Sequence, residues 1–155
     1  MKKLLFQTTL FLLLCSCIGK IEKTPVDYVN NRIGNISHLL VPTYPTTHLP
    51  NSMLRMIPTH NEFTTDRMEG LALNSPSHRQ GHSLLLLPYR GDVKDFGGNL
   101  KYRYDHEKST PYSYSVYLDD FSVGVDFAPA AKSAIYRFRF EDSDRRLILL
   151  KANGK

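Results

Sequence analysis

Between His106 and Phe140 the chain alternates three times in succession, and this limits what it can fold into. Tyr112, Tyr114, Val116 and Leu118 are separated by Ser113, Ser115 and Tyr117. Phe121, Val123, Val125 and Phe127 are separated by Ser122, Gly124 and Asp126. Ala134, Tyr136, Phe138 and Phe140 are separated by Ile135, Arg137 and Arg139. Successive side chains of a strand point to opposite faces, so each run turns one set inward and the other towards water. Asp119-Asp120 and Ala128-Pro129-Ala130, which divide the runs, are turn chemistry. The pattern predicts antiparallel strands stacked in an all-β sandwich.

The rest of the chain extends this reading. Val26 to Ile33 is expected to be the first strand, and Met53 to Ile57 a short one closed by Pro58. Ser83 to Leu87 is a continuous apolar run ended by Pro88, the pattern of a buried strand. Phe96 to Asn99 reads as a turn and Arg146 to Lys151 as the last strand. Thr59 to Asn74 fits neither period cleanly. Nine Tyr and eight Phe without a Trp suit a β-rich fold. The expected fold class is an antiparallel β-sandwich over residues 26–155, incomplete at Lys155.

The first residues carry a different signal. Met1-Lys2-Lys3 is followed by an apolar stretch from Leu4 to Leu14, broken by Gln7, Thr8 and Thr9. That stretch is shorter than the roughly 20 residues needed to span a bilayer, and it matches an export signal. Leu14-Cys15-Ser16-Cys17 resembles a bacterial lipobox, with residues 1–16 as lipoprotein signal peptide, Cys17 as the lipidated residue and 17–25 as tether. Each acyl methylene buried in the membrane contributes about 0.8 kcal/mol. The bland alternative is an ordinary signal peptide with incidental cysteines. The expected location is the bacterial cell envelope, periplasmic or at the surface. Removing Lys2 and Lys3 leaves 18 basic against 15 acidic residues, so the formal net charge falls from +5 to +3. With no Arg/Lys cluster this argues against a nucleic-acid partner. Both cysteines lie in the leader, which excludes a disulfide framework or thiol chemistry in the domain.

Three groups of residues are candidates for chemistry. Asn35 to Pro50 is a long loop in which Pro42, Pro45 and Pro50 disfavour helix. It holds His38, Thr43, Tyr44 and His48, side chains that offer sugars both apolar faces and hydrogen bonds. Loops longer than about 12 residues are often functional, although this one also reads as a proline-stiffened surface loop with its rings packed on the sheet. The second group is Ser77 to His82, in which His78 and Arg79 can hydrogen-bond a ligand. His78 and His82 have helical zinc spacing, but Pro76 and Gly81 oppose that helix and no third ligand follows. The third is the carboxylates. Paired carboxylates serve as general acid and base where both reach one substrate. Asp119 and Asp120 are adjacent, point apart on a strand and suit a turn instead. Asp126 faces outward, where Arg137 or Arg139 can pair with it. Nothing marks a catalytic residue, and phosphate-loop and nucleophile-elbow motifs are absent.

The ordered set His106, Pro111, Tyr112, Tyr114, Val116, Leu118, Val125, Pro129, Tyr136, Arg137 and Phe138 resembles the N-terminal domain of glycoside hydrolase family 92, the exo-acting α-mannosidases. Upstream, Tyr28-Val29-Asn30 with Ile33-Gly34 is similar to the family's opening strand. Thr43-Tyr44-Pro45 is similar to its first substrate-side loop, and Pro50 and Met53 to a Pro-x-Gly-Met turn. Ser52 replaces the turn's glycine, and residues 35–42 lack the glycines usual before Thr-Tyr-Pro. The resemblance implies that His38, Thr43, Tyr44, His48, His78 and Arg79 line a pocket for terminal α-mannose. It implies that the general acid, general base and a calcium site belong to a C-terminal helical domain missing from this chain, so the chain alone is expected to be inactive and to hold no cofactor. Two other readings are a stand-alone surface glycan-binding lipoprotein and a truncated product without function.

Overall fold

A computed structural model describes residues 22–34, 45–59, 66–75, 81–141 and 145–152. Nine strands are formed among them: β1 (Pro58–Thr59), β2 (Arg67–Met68), β3 (Gly70–Asn74), β4 (Leu84–Arg90), β5 (Tyr102–Ser109), β6 (Tyr114–Leu118), β7 (Val123–Pro129), β8 (Ala134–Phe140) and β9 (Arg146–Ala152). They build a four-stranded sheet in the order β1-β3-β4-β9 and a five-stranded sheet in the order β2-β5-β6-β7-β8. All pairings are antiparallel.

The alternating runs explain the larger sheet. Register aligns Tyr114, Phe127 and Tyr136 in one inward row, Val116, Val125 and Phe138 in the next, and Leu118, Val123 and Phe140 in the third. The members of these rows on β6 and β7 are buried. Those on β8 pack half-buried against them. Phe127 and Tyr136 meet with ring centroids 4.7 Å apart. The outward rows are Ser115–Asp126–Arg137 and Tyr117–Gly124–Arg139. The expected Asp126 pairing is present with both Arg137 and Arg139. Asp119–Phe121 forms a 3-10 turn ended by Ser122 in the left-handed conformation, φ 51°.

Leu85, Leu87 and Tyr89 of β4 close the core from the other side. Two tyrosines tie the sheets through hydroxyls that burial obliges to find acceptors. Tyr102 on β5 donates to the Pro88 carbonyl at 3.1 Å, and Tyr136 on β8 to the Ala72 carbonyl at 2.7 Å. At Gly70 the backbone approaches so closely that an added Cβ would lie 2.7 Å from the Leu87 side chain.

Several expectations are corrected. Val26 to Ile33 is not a strand: Pro25–Tyr28 is a 3-10 turn, and a second turn follows. The Asp27 carboxylate accepts from the Thr24 amide and hydroxyl, both at 2.8 Å, and Asn30 Oδ1 accepts from the Arg32 amide at 2.9 Å. These local side-chain bonds hold the turns, and the apolar Val26, Tyr28, Val29 and Ile33 are exposed, so no core burial draws the segment into a sheet. Within 53–57 only Met56 pairs, as an isolated bridge to Thr47, and Pro58 opens β1 instead of closing a strand. Pro88 does not end its strand, which runs on to Arg90. The β3 ladder stops at Leu86, so Pro88 has a strand partner on one side only, Ile148. The ambiguous stretch contributes β2 and β3, and β5 is a further strand without a clear alternation.

Candidate functional site

The turns joining β5 to β6 and β7 to β8 lie at the same end of the five-stranded sheet, and residues 45–57 cross that end. Thr47 is fully buried there. Its backbone pairs with Met56 in both directions, and its hydroxyl sits 3.0 Å from the Thr110 carbonyl and 3.3 Å from that of Ser113. The His48 amide donates to the Pro111 carbonyl at 3.1 Å, and the Met53 amide to that of Ala131 at 2.9 Å. Between them Leu49–Ser52 forms a turn closed at 3.1 Å, with Pro50 second and Asn51 third at φ 60°. Proline presets the second position and asparagine tolerates the left-handed third, the pattern of a type II turn.

The segment 22–34 is held at the same place. Asn31 Nδ2 donates to the Thr46 carbonyl at 2.9 Å and to Ser109 Oγ at 3.2 Å. Tyr112 donates to Asp27 at 2.7 Å, and this bond is the main cause that holds the Asp27 carboxyl below its usual range. Arg32 pairs with Glu107, which also accepts from the Tyr114 hydroxyl at 2.9 Å. Burial first, and then the Glu107 charge, push the Tyr114 phenol well above its ordinary value. A bulge makes this possible. Between Asp105 and Lys108 the register slips by one residue against β6, with His106 at φ 53°. A bulge re-aims the following side chain, here Glu107, towards Arg32 and Tyr114.

Of the six residues expected to bind sugar, His48 lies within the described part. Its half-buried ring places Nε2 3.1 Å from the Ser52 carbonyl, so that nitrogen carries the proton. His38, Thr43, Tyr44, His78 and Arg79 lie outside the described residues, as does Cys17. Asn31 and Thr46, on either side of 35–44, are in contact. His82, which follows the second group, is held below the usual imidazole range by burial, against the pull of Glu69. Asp120 has a turn role, accepting from the Arg103 amide at 2.7 Å and from its guanidinium at 2.8 Å. Among the described residues no three His, Cys, Asp or Glu side chains converge. Thr47, Asn31 and Glu107, which hold this end together, carry no motif. The available signal was the cluster of Ser and Thr around Pro111, whose short hydroxyls suit turns.

The chain matches the glycosyl hydrolase family 92 N-terminal domain over residues 28–155 and belongs to that family. Its fold is similar to part of the family GH92 α-mannosidase BT3965 from Bacteroides thetaiotaomicron, with TM-score 0.70 and 22% identity over 83% of this chain. The same enzyme in complex with mannoimidazole, and the inverting mannosidase BT2199 from Bacteroides thetaiotaomicron VPI-5482, match with TM-score 0.67 and 22% identity. This chain spans 20% of each of those proteins. No curated protein matches it by sequence.

Proposed function

We propose that this domain forms one wall of the terminal-mannose pocket of an exported α-mannosidase-like glycoside hydrolase, with the acid, base and calcium supplied by residues outside these 155. The observation that carries the reading is the joining of three segments at one end of the sandwich. Buried Thr47, Asn31 and the Ser109–Ser113 turn converge there, in a chain of this family. That arrangement ties together Asn31 and Thr46, the flanks of the stretch that carries His38, Thr43 and Tyr44, and in this reading those residues bind the sugar with His48, His78 and Arg79. A pocket wall needs such support, because a small displacement of a positioning group costs much of the rate. Cys17, lipidated after export, would keep the protein at the envelope membrane.

The test has two parts. The full chain is expected to leave an aryl α-mannoside uncleaved, with or without calcium, and cleavage would overturn the assignment of the chemistry to other residues. Mannoimidazole, the ligand of a related structure, is expected to bind the chain and to bind about tenfold more weakly after Tyr44→Ala. Equal binding by the variant would remove the loop from the pocket. Labelled palmitate should enter the chain in bacteria and fail to enter after Cys17→Ser, whereas undiminished labelling would reject this anchor.

A further inference from the structure

The outward face of the five-stranded sheet holds a cleft of about 350 Å³, lined by Ser113, Ser115, Asp126, Ala128, Ile135 and Arg137 among others. Its volume falls at the lower end of small-molecule sites. The cleft follows from the register, which sets Ser115, Asp126 and Arg137 in one row and Ala128 beside Ile135. Ile135 is 67% exposed and offers an apolar shelf. Asp126 is oriented by two guanidiniums, and both approach the same oxygen, Oδ2. Arg139 reaches it by lying against Gly124, where an added Cβ would sit 3.2 Å from the guanidinium. No hydrogen bond among the described residues reaches Oδ1 or the Ser115 hydroxyl.

These groups select a ligand class. The carboxylate oxygen beside the cleft accepts hydrogen bonds and calls for a ligand O–H, while the two guanidiniums are already paired with Asp126. Ser115 both donates and accepts, Arg137 donates, and Ile135 with Ala128 suits a face of C–H groups. A ring with neighbouring hydroxyls on one edge and C–H groups on one face satisfies all of them. We propose that this cleft is a second sugar site, binding one uncharged pyranose through a neighbouring pair of hydroxyls. The proposal rests on this geometry alone and is independent of the loop pocket above.

Titration of the 15N-labelled full chain with methyl α-mannopyranoside and methyl β-glucopyranoside tests it. At least one is expected to shift the amides of Ser115, Asp126, Ile135 and Arg137, with a dissociation constant on the order of 1 mM for a small ligand on an open face. Asp126→Ala and Ile135→Ser should each weaken that binding about tenfold. Their unchanged dispersion elsewhere in the spectrum would show that both variants fold. Tyr44→Ala should leave it unaltered, so failure of this site and failure of the loop pocket are separable. Three results would overturn the proposal: no shifts at these amides, binding unchanged in both cleft variants, or tighter binding of glucuronate than of the neutral sugars.

Discussion

The two sheets turn different surfaces to the outside. The five-stranded sheet shows Ser115, Asp126 and Arg137, then Tyr117, Gly124 and Arg139. The four-stranded sheet shows half-buried Leu86 paired with Leu150, and Ile148 two residues before it, with Leu150 59% and Ile148 43% exposed. The contrast is written in the local pattern. An alternating strand has one face for the core and one for water, whereas a continuous run such as SLLLL or RLILLK is apolar on both. One sheet is therefore finished on its outer side by its own charges. The other carries more apolar surface than its core uses.

Core truncations test this division most strongly. Phe127→Ala, in a buried inward row of the larger sheet, should cost about 3–5 kcal/mol, and Leu87→Ala, on the buried face of the smaller sheet, about 2–5 kcal/mol. Leu150→Ala, on the same strand pair as Leu87 but facing out, should fall within about 0.5 kcal/mol. Urea unfolding of the three variants measures all of these. A Leu150→Ala cost approaching that of Leu87→Ala would mean that the outer face of the smaller sheet is packed as tightly as the inner.

The next effect belongs to the end of the sandwich that supports the proposed pocket. Thr47→Val keeps the shape and removes the hydroxyl, leaving the Thr110 carbonyl without that donor, while the Ser113 carbonyl keeps the Thr110 amide and hydroxyl. A buried polar group stripped of its partner costs about 1–3 kcal/mol. The loss should appear as a lower unfolding midpoint. Hydrogen exchange should also be faster at the His48 and Met53 amides, which bond to the two turns beneath. Unchanged exchange at both amides would show that the turn contacts hold the segment without Thr47.

What could be read beforehand follows the same division. β6, β7 and β8 were legible because strict alternation has one physical solution, and the Asp126–arginine pairing followed from it. β5 was not, because Arg103, Asp105, His106 and Lys108 leave few apolar positions to count and the bulge at His106 shifts the period. Val26 to Ile33 misled for the opposite reason: its residue types suit a strand, but Asp27 and Asn30 accept local bonds that residue type does not reveal. At the candidate site, Tyr and His were visible as sugar-binding types. The supporting Thr47–Ser113 contact joins residues far apart in sequence through an ordinary hydroxyl, and no residue type marks it.

A smaller effect should appear between neutral and mildly acidic pH. Burial, the dominant cause, holds His82 below its ordinary 6.5, with the Glu69 charge opposing and Lys151 reinforcing. The unfolded chain therefore takes up the proton first as pH falls. Stability contributed by the neutral imidazole is full above about pH 6.5 and declines below it. His82→Gln should flatten the fall in unfolding midpoint between about pH 7 and 5. An unaltered slope would assign that fall to other groups.

The smallest effect lies on the charged face. Burial raises the Asp126 pKa, but hydrogen bonds from Arg139 and Arg137 outweigh it and hold the carboxyl below its usual range. A depressed carboxylate stabilises the fold above the unfolded value of about 3.9, and the contribution disappears as pH falls through the folded value. The pair is exposed, with 68% of the Arg137 side chain and 29% of the Asp126 side chain in solvent. Asp126→Asn should therefore cost less than about 1 kcal/mol at pH 7, and salt should shrink that cost. Once the pH has fallen through the folded value, the variant and the parent should unfold at the same midpoint, since both then present a neutral group to the arginines. A difference persisting there would mean that Asp126 acts through hydrogen-bond geometry and not through its charge. The polar face would then owe its order to shape, as the apolar face does.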